Sequence, residues 1–125
     1  MKVLCVDDDP VMRLMLVETF RLAGHEVIVA RNGVEALALL YDAAFDVVLM
    51  DLEMPEMDGN ETIEAMRQAG IETPVIALTA NAADLEGRVS AVVSKPPHCQ
   101  LLIALAEGLA EKTKAARAKL TEAPT

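Results

Sequence analysis

Short apolar runs alternate with helix-period segments five times along this chain. The runs at 3–6, 27–30, 47–50, 74–78 and 91–94 read as strands. The run at 47–50 is apolar throughout, which suits a strand covered on both faces. Between them lie helical patterns. Asp9 is a good N-cap with Pro10 at the first helical position. Met12, Met15, Leu16 and Phe20 then share one face, and Gly24 is the expected stop. Asn32 and Gly33 turn the chain into a helix over 34–41, and a third helix is expected over 60–69, closed by Gly70. Residues 81–88 have room for only a short helix. Pro97 opens a last helix that runs through 101–109 and on toward Leu120. Strict alternation of this kind predicts a doubly wound parallel α/β sheet with helices on both faces.

In such sheets ligands bind beyond the carboxyl ends of the strands, where the strand order reverses. Asp7, Asp8 and Asp9 follow the first strand, Asp51 the third, Thr79 the fourth, and Lys95 with Pro96 the fifth. Arg31 and Asn32, after the second, are unremarkable turn residues.

At 125 residues the chain has the size of one domain, and 53% hydrophobic residues are enough for a core. Its formal charge is −9, which argues against direct nucleic-acid binding and favours a cation or a basic partner. Eight acids and no base lie between Asp42 and Glu64. No apolar run is long enough to span a membrane, so no membrane insertion is expected. The start turns acidic too early for a signal peptide. Two cysteines, Cys5 and Cys99, are too few for a disulfide framework. A reduced, cytoplasmic domain is the expectation. Cys5 reads as a buried strand residue and Cys99 is assigned no role. The methionines read as core filler. His25, in a turn, and His98, at a helix start, read as surface residues.

Carboxylates gathered in one crevice repel, and a hard divalent cation such as Mg²⁺ offsets that. Lys95 adds a second positive charge and Thr79 a hydroxyl donor. Metal, lysine and hydroxyl around one aspartate suit a phosphoryl group, with a carboxylate as its acceptor.

These residues give the chain its likeness. With Val6-Asp7-Asp8-Asp9, Val48-Leu49-Met50-Asp51-Leu52-Glu53-Met54-Pro55, Met57-Asp58-Gly59, Ala77-Leu78-Thr79-Ala80-Asn81-Ala82 and Ser94-Lys95-Pro96, it resembles the response-regulator receiver domains of two-component signalling. Around Thr79 it is most like the receivers of hybrid sensor kinases. The resemblance covers about residues 2–110, leaving 111–125 as a helical extension or tail. It implies a flavodoxin-like (βα)5 sheet of order 2-1-3-4-5, here with a shortened or irregular fourth helix. It implies that Asp51 is phosphorylated. It also implies that Asp7, Asp8, Asp51 and the Glu53 backbone carbonyl hold Mg²⁺, and that Thr79 and Lys95 bind the phosphoryl group. The Lys95–Pro96 peptide is cis in the family, and the positions of Glu53 and Asn81 tune acyl-phosphate lifetime. Partners implied are a histidine kinase or histidine phosphotransfer protein and an output protein whose identity stays open. Such a domain is a switch, not an enzyme acting on other substrates.

Three departures stand out. Val92 replaces the aromatic residue usual in the fifth strand, only fifteen residues separate Thr79 from Lys95, and Pro97 follows Pro96. They fall on the face many receivers use for output, so an atypical output face is expected. The alternative is a phosphorylation-independent interaction module that keeps the fold. A free-standing phosphohydrolase fits less well, because it needs a cap to enclose its substrate.

Overall fold

The computed structural model describes residues 1–54, 57–79 and 89–121, with side chains described as far as residue 118. The short helix expected over 81–88 lies outside the described residues, as does Asn81. The elements are β1 (Lys2–Val6), α1 (Pro10–Leu22), β2 (Glu26–Ala30), α2 (Gly33–Asp42), β3 (Val47–Asp51), α3 (Gly59–Gln68), β4 (Val75–Thr79), β5 (Ala91–Ser94) and α4 (Cys99–Thr121). All strand pairs are parallel, in the order β2-β1-β3-β4-β5.

The pleat sends alternate side chains to opposite faces. Leu4, Val6, Val48 and Met50 pack with Ala36, Leu40, Ile63 and Met66 of α2 and α3. Val3, Cys5, Val47 and Leu49 pack with Leu16 and Phe20 of α1 and with Leu102 and Ala106 of α4. Each central strand is therefore apolar on both faces, as helices on both sides of a parallel sheet require.

Local signals fix the helix starts. Asp9 Oδ1 accepts the Val11 N–H at 2.9 Å, Asn32 Oδ1 the Glu35 N–H at 2.9 Å, and Asp58 Oδ1 the Glu61 N–H at 2.8 Å. Gly24 takes φ +90° just after α1, a backbone that glycine adopts at little cost.

Several boundaries differ from the sequence reading. β4 begins at Val75 because Pro74 has no N–H for the ladder, although its carbonyl accepts the Val48 N–H at 2.9 Å. β3 and β4 each extend one residue further, so Asp51 and Thr79 are strand residues, not loop residues. α4 starts at Cys99 rather than Pro97, with the His98 ring nitrogen Nδ1 accepting the Leu101 N–H at 3.3 Å. α4 then continues without a break past Ala110, and residues 114–118 are exposed. His25 is not a free surface residue. Its side chain is only 12% exposed, with Nε2 2.8 Å from Glu107 Oε2 of α4.

Candidate functional site

The carboxyl ends of β1, β3 and β4, and the turn after β5, bring five side chains together. Asp7 and Asp51 are buried, Thr79 is buried between them and the edge strand, and Asp8 is exposed. One carboxylate oxygen from each of Asp7, Asp8 and Asp51 lies within 4.8 Å of the others. Lys95 reaches in from the turn after β5, its backbone N–H held by the Thr79 carbonyl at 3.0 Å. Its Nζ donates to Asp51 Oδ1 at 2.7 Å and lies 3.8 Å from Asp7 Oδ2 and 3.9 Å from Glu53 Oε2. The Lys95–Pro96 peptide is cis.

Asp7 and Asp51 are oriented by the backbone. Asp7 Oδ1 accepts the Asp9 N–H at 2.9 Å, and Asp51 Oδ1 accepts the Glu53 N–H at 3.1 Å. The Asp7 carbonyl accepts a hydrogen bond from Arg13 Nη1 at 2.8 Å. α3 closes over the back of the site. A Cβ on Gly59 would stand 2.5 Å from the Asp51 carbonyl oxygen and 2.8 Å from Leu52 Cα, so only glycine fits.

The electrostatics follow from burial and charge. Burial pushes the Asp7 carboxyl up to about 6; the Asp9 N–H opposes this and the Asp51 charge adds to it. Burial alone would lower Lys95. The hydrogen bond to Asp51 and the charges of Asp7, Asp51 and Glu53 outweigh burial and hold it above its ordinary value. Burial, reinforced by the Asp7 charge, pushes the Cys5 thiol beneath the site up to about 12, so it stays protonated.

A divalent cation fits this donor set. Asp7 Oδ2 is buried and, among the described residues, has no hydrogen-bond partner. A buried carboxylate oxygen without a hydrogen bond, beside two further carboxylates and with one ammonium at 3.8 Å, is costly unless a further cation neutralises the cluster.

Two contributions to the site were not read from the sequence. Arg13 sits one turn into α1, and its charge was not linked to the acids. The Glu53 side chain accepts the Thr79 hydroxyl at 2.6 Å, a contact across 26 residues of chain that no local pattern announces.

Residues 3–106 match the family described as response regulator receiver domain. This chain belongs to that family. It is a signalling module of two-component systems, a phosphoacceptor switch by family. Over 124 residues it is 36% identical to the sensor histidine kinase RcsC of Salmonella typhimurium. That match takes in 94% of this chain and 13% of the relative. The chain thus spans about an eighth of that curated relative's length. The receiver domain of Francisella response regulator 1452 superposes with a TM-score of 0.85 at 31% identity, covering 90% of this chain and 98% of that one. The response regulator TrrA of Thermotoga maritima, solved in complex with Mg²⁺ and BeF, superposes with a TM-score of 0.80 at 31% identity. It covers 86% of this chain and 97% of that one. Among the described residues no helix is long and apolar enough to cross a membrane.

Proposed function

We propose that Asp51 takes a phosphoryl group from a phosphohistidine, with Mg²⁺, and that the acyl phosphate changes the affinity of this domain for an output partner. One observation carries the reading. Asp51 is a buried carboxylate with an ammonium at 2.7 Å and two further acids converging on it. In the transfer an Asp51 carboxylate oxygen attacks phosphorus in line with the P–N bond. That bond breaks and its electron pair returns to the donor imidazole. The Lys95 ammonium takes up charge on the phosphoryl oxygens, and the Thr79 hydroxyl donates to one of them. Asp7, Asp8, Asp51 and the Glu53 carbonyl would hold Mg²⁺, which supplies charge neutralisation at the transferring group. Water later attacks phosphorus and regenerates the Asp51 carboxylate. The domain would act on no other substrate.

The donor is a histidine kinase or histidine phosphotransfer protein, as the likeness to a hybrid-kinase receiver supports. A cytoplasmic location goes with that donor, and direct nucleic-acid contact is disfavoured by the −9 charge. The output partner reads a surface unlike that of most receivers. Val92 is 38% exposed on β5 and has no ring to turn inward. Residues 1–110 form the switch, and the remainder of α4 extends from it.

The test is intact mass after incubation with Mg²⁺ and a small-molecule phosphodonor, for the parent and for Asp51→Asn. One phosphoryl on the parent alone, lost on chelation, is expected. A beryllofluoride titration followed by amide NMR covers a short-lived adduct. No adduct, together with unmoved resonances near Asp51 and Thr79, would leave the phosphorylation-independent module in its place.

A further inference from the structure

Glu53 already holds a group that an incoming phosphoryl group needs. Its Oε1 accepts the Thr79 hydroxyl at 2.6 Å, and its Oε2 lies 3.9 Å from Lys95 Nζ. Its backbone N–H donates to Asp51 Oδ1 at 3.1 Å, so the chain folds back over the acceptor. The side chain is 51% exposed, which leaves it a path out into solvent.

We propose that the Glu53 carboxylate stands in for the phosphoryl group in the resting state, occupying Thr79 until a phosphoryl oxygen on Asp51 displaces it. The proposal rests on Asp51 being the acceptor and makes Glu53 a positioning residue that sets how readily Asp51 is loaded. Two anions cannot share one hydroxyl donor and one ammonium at this distance without strong repulsion. A hydroxyl bound to a carboxylate is also a stronger pairing than a neutral one, so exchange has a cost. After exchange the carboxylate no longer sits on Thr79, and the position of this negative charge depends on phosphorylation.

The experiment uses beryllofluoride with Mg²⁺ as the probe on the full chain, with affinity read by amide NMR. The proteins are the parent, Glu53→Ala, Thr79→Val and the double variant. Glu53→Ala is expected to bind about tenfold tighter than the parent, the scale of one charge-assisted hydrogen bond. In the Thr79→Val background the same substitution is expected to gain only about twofold to threefold, the share owed to charge repulsion near Lys95, because no hydroxyl remains to compete for. An equal gain in both backgrounds would mean charge repulsion alone and would overturn the proposal. Unchanged or weaker binding by Glu53→Ala would overturn it too, while leaving Asp51 as acceptor. Glu53→Gln keeps the side-chain length and guards against a folding defect, with a smaller gain expected. A folded parent that binds no beryllofluoride refutes the acceptor reading itself, and the proposal falls with it.

Discussion

Replacing Asp7 by Asn removes a buried negative charge and keeps the shape of the side chain. Asp7 is fully buried, and its carboxyl is pushed from an ordinary 3.8 to about 6. The folded value lies above the unfolded one, the reverse of a salt-bridged acid. Below about pH 3 both states are protonated and the group is neutral to stability. As pH rises from about 3 to about 6 the unfolded chain loses its proton first, so stability falls. Above about 6 the full penalty is present. About two pH units at 1.36 kcal/mol each give a ceiling of about 3 kcal/mol. Lys95, 3.8 Å from Asp7 Oδ2, loses one of its partners in the variant, so the net gain is smaller. Without Mg²⁺ at pH 7.5, Asp7→Asn is expected to melt up to about 10 °C above the parent. That gain shrinks to about a third near pH 4.5 and is lost below about pH 3. Added Mg²⁺ should raise the melting temperature of the parent more than that of the variant. Thermal unfolding followed by circular dichroism, with chelator and with Mg²⁺ across this pH range, measures all three. A variant no more stable than the parent at pH 7.5, or a difference that ignores pH, would refute the reasoning.

Gly59→Ala would drive a methyl into the Asp51 carbonyl and the Leu52 backbone, so a loss of about 2 kcal/mol is expected in urea unfolding, with weaker Mg²⁺ binding. Asp9→Ala removes the cap on the Val11 N–H and should cost about 1 kcal/mol. It should leave Mg²⁺ affinity nearly unchanged, because the Asp9 backbone N–H still holds Asp7. Cys5 is buried, with its thiol pushed up to about 12, so a disulfide reagent should modify Cys99 alone in the native protein and both thiols after unfolding. Two fast-reacting native thiols would contradict that burial.

Period and punctuation made most of the sheet legible. The apolar runs, the cap at Asp9, the turn at Asn32 and Gly33 and the stop at Gly24 are local signals, and β1, α1 and the strand succession follow from them. The acids and Lys95 were legible because parallel sheets put functional groups at one end. What stayed hidden depends on contacts far apart in sequence. Glu53 meets Thr79 across the gap between β3 and β4, and His25 is covered by Glu107 from a helix 82 residues away. The one-residue offset of β4 arose because Pro74 contributes only its carbonyl.

The sheet order itself divides the labour at the site. Asp7 directly follows β1 and Asp51 ends β3, and each of these two strands has a neighbouring strand on both sides. Lys95 hangs from β5, which has a single neighbouring strand, four residues of pairing and no fully buried side chain. Lys95 is therefore carried by the least buried and least paired strand of the sheet, while its two carboxylate partners Asp7 and Asp51 sit at the ends of the most buried ones.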